Sequence, residues 1–276
     1  MKIREITPND LPDITNLLAE GFPRKSFNYW HNALSRLTVR PKLGNLPKFG
    51  FTLELDNSLQ GVILMITQEM CGDFFCNLSS WYIRPKFRKY APLLFQRSLR
   101  FKGVNYTDCS PAAHILPIIR KFGFQPYTAG TMMLDARAAL RPGSAVEPLT
   151  QTSLNGFEPE LQENITRHLA YGCQGFLLSD RQVGRTPVLF RTTRLKRMVP
   201  AARFILGDPR HLITQASGLA RVLLRRGIPV MLIDWPEGVP HSDGRLLPQY
   251  GLRYYRGEAH PDVGDLRDTE IGIFGL

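Results

Sequence analysis

Low-complexity tracts, long apolar runs and metal-ligand motifs are all missing from this chain of 276 residues. Its longest apolar stretches, such as GVILMIT and PVMLIDW, fall well short of the roughly 20 residues that cross a bilayer as a helix. No membrane span is therefore expected. The opening MKIREITPND has no apolar core of the kind a secretory signal carries, so a cytoplasmic location is expected. Cysteine is scarce: Cys71, Cys76, Cys109 and Cys173 make up the whole set of four. Their spacing matches neither a metal site nor the dense disulfide framework of a small secreted domain. They read as buried reduced thiols, and no metal is expected.

Acidic residues are also short, with 24 Asp and Glu against 35 Lys and Arg, a net charge of +11 and a pI near 9.7. Such a field draws anions, whether a phosphorylated cofactor, nucleic acid or an acidic membrane surface, although it can also serve solubility alone. What the chain does have is core material, at 43% hydrophobic residues. Its length suits about two domains of ordinary size.

The first half alternates in type. DLPDITNLLAEGF places Leu11, Ile14, Leu17 and Leu18 on one helical face, and SFNYWHNALSRLTVR reads as a second helix with Ser26 as its N-cap. FTLEL and GVILMITQE are strands around the turn residues Asp56, Asn57 and Ser58, and CNLSSWYI is a third. LLFQRSLRF is a helix whose apolar positions Tyr90, Leu93, Leu94 and Phe101 fit one face. VNYTDC is a strand, PAAHILPIIRKFG a helix, and TMMLDA a strand that closes the domain.

The second half repeats this order. LQENITRHLAYG is helical; GFLLSD, PVLFRTTRL and AARFILGD are strands; LITQASGLARVLLRRG is a helix; IPVMLID is a strand. Gly50-Phe51 and Gly175-Phe176 lie 125 residues apart, Gly103 and Gly227 lie 124 apart, and Gly123 and Gly251 lie 128 apart. Landmarks at so constant an offset predict two copies of one unit. The boundaries expected are 1–141 and 149–276, with LRPGSAVEP as the linker. The expected class is α/β, each domain built on a mixed sheet.

The stretch LSSWYIRPKFRKYAPLLFQRSL carries the clearest chemistry. A strand runs into a loop bearing Arg84, Lys86, Arg88 and Lys89, and a helix then starts. A helix start offers free N–H groups and the positive end of the helix dipole. With basic side chains around it, such a turn suits a pyrophosphate; it also reads as an ordinary solvated basic loop.

WYIRPKFRKYAPLL, with Ile83, Pro85, Phe87 and Arg88, resembles the cofactor segment of the GCN5-related N-acetyltransferase superfamily. VNYTDCSPAAHILPIIRKFGFQPY, with Gly123-Phe124, is similar to that family's later strand–helix–Gly-Phe segment. The resemblance is good over about 1–135 and weaker over 150–276. It implies two tandem acyl-CoA N-acyltransferase-like domains. It also implies a cofactor, acetyl-CoA or another acyl-CoA, with pantetheine along Trp81, Tyr82 and Ile83. Its pyrophosphate would rest on Arg88, Lys89, Tyr90, Ala91, Pro92 and Leu93. The implied reaction moves the acyl group to an amine or hydroxyl of a small-molecule or peptide acceptor.

The sequence departs from the family at the turn, where both usual glycines are replaced, by Ala91 and Leu93. The Tyr that often protonates the leaving thiolate aligns with about Ile119. Candidates for proton transfer are therefore Tyr90, Asp108 and Ser110, with Ser79 and His114 also near the expected cleft. Asp108 and Ser110 read equally as caps of the next helix, His114 as a structural histidine, and Tyr90 as a packing residue. Glu54 and Glu69 are either acceptor-side groups or exposed strand carboxylates. In the second copy, FILGDPRHLITQASG has no basic cluster, and Asp208 opposes a pyrophosphate. RTTRLKR is either a solvated strand or an anion-binding face. The loop with Asp234, Trp235, Glu237 and His241 has no assigned chemistry. Other members with tandem domains take aminoacyl groups from tRNA, which the positive charge suits. A third reading is a non-catalytic acyl-CoA sensor.

Overall fold

The computed structural model describes residues 1–70, 72–143, 145–180, 184–240 and 244–275, so Cys71 and His241 lie outside the described residues. In chain order the strands are β1 (Lys2–Glu5), β2 (Gly50–Leu55), β3 (Ser58–Met70), β4 (Asp73–Ile83), β5 (Val104–Asp108), β6 (Gln125–Pro126) and β7 (Gly130–Asp135). They continue as β8 (Val146–Pro148), β9 (Gln174–Asp180), β10 (Gly184–Leu195), β11 (Val199–Leu206), β12 (Val230–Trp235), β13 (Arg245–Leu247) and β14 (Tyr254–Arg256). The helices are α1 (Leu11–Gly21), α2 (Phe27–Thr38), α3 (Ala91–Ser98), α4 (Leu116–Lys121), α5 (Pro159–Ala170), α6 (Pro209–Thr214), α7 (Ala216–Arg225) and α8 (Glu270–Ile273).

Local chemistry accounts for most of these elements. Ile14, Leu17 and Leu18 form the buried stripe of α1, at the spacing of one helical face. Ser26 Oγ accepts from the Tyr29 N–H at 3.1 Å, starting α2, which then buries Trp30, Ala33, Leu34 and Leu37. Asp56 and Asn57 both take positive φ, 50° and 57°, as a tight two-residue turn between β2 and β3 requires. Two expected helices are shorter than their sequence pattern. α4 begins at Leu116 rather than near Pro111, because Pro117 is tolerated only in a first turn. α3 buries Leu94, Phe95 and Ser98 and ends before Phe101, which leaves Leu93 46% exposed.

Two sheets of seven strands result, ordered β1-β2-β3-β4-β5-β14-β6 and β13-β7-β12-β11-β10-β9-β8. In each, three antiparallel strands lead into one parallel pair: β2, β3 and β4 before β5, and β9, β10 and β11 before β12. The repeat seen in the sequence is thus a repeat of topology. Two of its three glycine pairs have matching backbone conformations, for Gly103 and Gly227 take φ of 69° and 74°, and Gly123 and Gly251 take 83° and 69°, whereas Gly50 takes 123° and Gly175 no positive φ. Each of the matching glycines follows or closes a helical or turn segment where a side chain would be strained.

The closing strands are exchanged. TMMLDA, expected to complete the first domain, pairs instead with β12 over six residues, from Gly130↔Trp235 to Asp135↔Val230. Its Met132 and Leu134 join the second core with Phe176, Phe190 and Ile233. In the first sheet the place beside β5 belongs to β14, through Tyr254↔Asp108, Thr107↔Tyr255 and Tyr106↔Arg256. One compact unit therefore comprises Met1–Gln125, Tyr254–His260 and Asp268–Phe274. The other comprises Pro126–Arg253 and Pro261–Arg267 with Gly275. A cut between 141 and 149 does not separate the sheets. The physical reason is that a strand's partner is set by edge complementarity, not by proximity along the chain.

The exchange gives a direct test. Tyr254 is fully buried in the first unit although it belongs to the C-terminal half of the chain. Tyr254→Ala should destabilise that unit by about 3–5 kcal/mol. Denaturant unfolding followed by the fluorescence of Trp30 and Trp81, both in that unit, would register it.

Candidate active site

The site is set by a parallel pair that stops early. β4 and β5 pair only from Phe74↔Val104 to Asn77↔Thr107. β4 then runs on to Ile83 with its other edge still held by β3. From Leu78 to Ile83 the backbone of β4 has no strand partner on the β5 side among the described residues. Such a gap presents free donors and acceptors to an extended ligand.

A bulge re-aims this open segment. Leu64 pairs with Ser79 and Val62 with Tyr82, so Ser80 and Trp81 together face one residue of β3. Ser80 takes a φ of 52°, the left-handed region that favours glycine. No residue type marks this conformation in advance, since the position is a serine. Buried Ser79 shares a 3.0 Å hydroxyl contact with Ser80. Trp81 stacks on Phe95 of α3 at 4.8 Å, and Tyr82 points the other way, donating to Glu20 of α1 at 3.0 Å. Gly21 lies against that ring, and a Cβ there would come within 2.3 Å of it. Ile83 is buried.

The turn after β4 is a 3-10 helix over Pro85–Tyr90 that leads into α3. Arg84 is committed to Glu20, with Nε at 3.0 Å and Nη2 at 2.8 Å from one carboxylate oxygen. That guanidinium holds the Glu20 carboxyl below its ordinary range, while burial and the Glu20 bond raise the Tyr82 phenol. Lys86, Arg88 and Lys89 are exposed and form no ion pair among the described residues. Tyr90 is the N-cap of α3 and gives it no side-chain cap, so the helix start stays open beside those cations. The expected pyrophosphate residues Arg88, Lys89, Tyr90, Ala91, Pro92 and Leu93 are contiguous here.

The second copy also has a parallel pair that stops early, but not the open basic helix start. Asp208 caps α6 with its own carboxylate, accepting from the N–H groups of Arg210 at 2.7 Å and His211 at 3.1 Å. Where β11 and β12 stop pairing, after Arg203↔Leu232, buried Asp234 takes Arg203 Nη1 at 3.1 Å and Arg253 Nε at 2.7 Å.

The candidates for proton transfer divide. Asp108, half-buried, ends β5 beside Tyr254. Neither Asp108 nor Ser110 caps α4, whose N-cap is Ile115. Ser110 is exposed and donates at 2.5 Å to Oε1 of Glu270. Tyr90, half-buried, makes no hydrogen bond to Asp108 or Ser110. His114 is exposed, and Ile119 is fully buried. Glu54 is tied to Arg4 at 2.5 Å, and Glu69 is exposed on β3. Sequence reasoning missed Glu270. No local motif marks it, and its partners lie far back in the chain. Cys76, Cys109 and Cys173 are buried thiols. Among the described residues no cluster of metal ligands occurs, and no helix is long and apolar enough to cross a membrane.

No family model and no curated protein sequence matches the chain. Solved structures do. A GCN5-related N-acetyltransferase from Anabaena variabilis is similar at a TM-score of 0.61 and 13% identity, covering 92% of this chain and 72% of its own. A putative acetyltransferase from Pyrococcus horikoshii gives 0.55 and 12%, over 96% and 92% of the two chains. A probable N-acyltransferase from Enterococcus faecalis gives 0.58 and 8%, over 97% and 73%.

This is the GCN5-related N-acetyltransferase fold. Each match covers more than nine-tenths of this chain, so both sheets take part in the likeness and the tandem arrangement expected from the repeat is present.

The bulge is open to test. Because Ser80 sits at positive φ, Ser80→Gly should be neutral or stabilising by up to about 1 kcal/mol. A β-branched Ser80→Val should lose about 1–3 kcal/mol. Thermal unfolding of both variants would check the pair.

Proposed function

We propose that this protein transfers an acyl group from acetyl-CoA or another acyl-CoA to an amine, with its one cofactor site in the first unit. The reading is carried by the early end of β4–β5 pairing at Asn77↔Thr107, which opens onto three unpaired cations and an uncapped helix start. Pantetheine would run along Trp81, Tyr82 and Ile83, using backbone groups that lack a strand partner. The pyrophosphate would lie at Arg88 and Lys89, against the start of α3 at Ala91, Pro92 and Leu93. Charge there does the work that glycines do elsewhere, since Ala91 and Leu93 keep the backbone farther from a phosphate.

Amine acylation needs a proton taken from the ammonium and a proton delivered to the departing thiolate. Buried Ile119 supplies neither. Tyr90, at the helix start, is the proposed acid, with Asp108 and Ser110 at the end of β5 on the acceptor side. The acceptor class is a small-molecule or peptide amine, and the setting is cytoplasmic. The sensor reading differs only in lacking turnover.

Titration calorimetry with acetyl-CoA should give one equivalent per chain, because Asp208 and the Asp234 cluster close the second copy. The double variant Arg88→Ala, Lys89→Ala should bind roughly tenfold more weakly and with a shallower dependence on salt. Two equivalents of equal affinity would contradict the assignment. Tyr90→Phe keeps the ring and loses the hydroxyl. At saturating acetyl-CoA it should slow acylation of an amine on the order of a hundredfold. Unchanged turnover would remove Tyr90 from the mechanism.

A further inference from the structure

Glu270 is 0% exposed, and a carboxylate is costly to bury unless hydrogen bonds meet it. Two donors come from the rim of the cofactor gap. Asn77 Nδ2 donates to Oε2, and Ser110 Oγ donates to Oε1 at 2.5 Å. Asn77 is itself fixed, because its Oδ1 accepts from Thr107 Oγ1 at 3.2 Å, which turns the amide nitrogen toward Glu270. Asn77 and Thr107 are the last paired residues before β4 and β5 part. The carboxylate therefore lies beside the end of the β4–β5 ladder, buried, and is bonded to the hydroxyl of Ser110, an exposed residue.

We infer that Ser110 and Glu270 form the proton relay of the acceptor amine, an assignment that rests on the acyl-transfer reading. Ser110 Oγ meets the amine and Glu270 is the base behind it. The ammonium passes a proton to Ser110 Oγ while the proton of Ser110 moves to Glu270 Oε1. The nitrogen lone pair then forms the N–C bond to the thioester carbonyl. The C–S bond breaks, and the thiolate receives the second nitrogen proton by way of the Tyr90 hydroxyl. Glu270 returns its proton through Ser110 to water, leaving amide, free thiol and one released proton.

If Glu270 only anchored α8, the Ser110 hydroxyl would be an ordinary alcohol. Phenylmethanesulfonyl fluoride tells these apart without any acceptor, because it reacts with serine oxygens that have a base. In the full chain it should label Ser110, read by peptide mass spectrometry, and acetyl-CoA should protect that residue. Glu270→Gln should react at least about tenfold more slowly, with acetyl-CoA affinity by calorimetry within twofold of the parent chain. Glu270→Asp withdraws the carboxylate by one methylene and should react at an intermediate rate, with circular dichroism confirming that both variants fold. An inert Ser110, no protection, or equal rates in folded variants would overturn the relay while acetyl-CoA still binds. Absence of acetyl-CoA binding to the parent chain would instead sink the acyl-transfer reading and the relay with it.

Discussion

Parallel pairing between β4 and β5 ends at Asn77 and Thr107, and the first unit is arranged around that end. β5 itself ends one residue later, at Asp108, whereas β4 continues to Ile83. Each of the two strands is held on its far edge. β5 turns its other side to β14 at Tyr254, Tyr255 and Arg256, while β4 is kept on β3 by a register that includes the Ser80 bulge. Trp81 stacked on Phe95 anchors one face of the divergent segment, and Tyr82 on Glu20 anchors the other. Unsatisfied backbone in such a gap is unfavourable unless water or a ligand meets it, which makes the gap a place for chemistry.

The two copies show how one topology yields different electrostatics. In the first, the helix start is uncapped and Lys86, Arg88 and Lys89 stand free of carboxylates. In the second, Asp208 neutralises the corresponding start, and Asp234 draws Arg203 and Arg253 into the interior. Burial lowers the Arg203 affinity for its proton, against the pull of Asp234. A buried cluster of this kind adds little net stability over apolar packing.

Much of this was legible in the sequence, and the limits have physical causes. The helical faces of α1, α2 and α7, the Asp56-Asn57 turn and the topological repeat follow from short-range rules that a linear reading can apply. The basic turn after β4 was legible for the same reason, since its residues are contiguous. The strand exchange was not, because TMMLDA has the same alternation whichever sheet receives it. Ser80 was missed since a non-glycine at positive φ leaves no compositional mark. Glu270 was missed because its partners Asn77 and Ser110 are brought to it only by the fold. The phase of α3 went wrong by one residue, exposing Leu93, because the 3-10 turn over Pro85–Tyr90 delays the helix.

The exchanged strands also bear on how the chain is made. When residues 1–125 have left a ribosome, the outer edge of β5 has no strand to cover it, for β14 is still unsynthesised. An open edge of that kind invites pairing with other chains, and contacts this distant in sequence close slowly. The N-terminal unit therefore waits, incomplete, until residues 254–274 have been made. A nascent chain truncated before Tyr254 would hold most of the β4–β5 gap and neither β14 nor Glu270. The first unit folds to completion only after the chain has passed through the second.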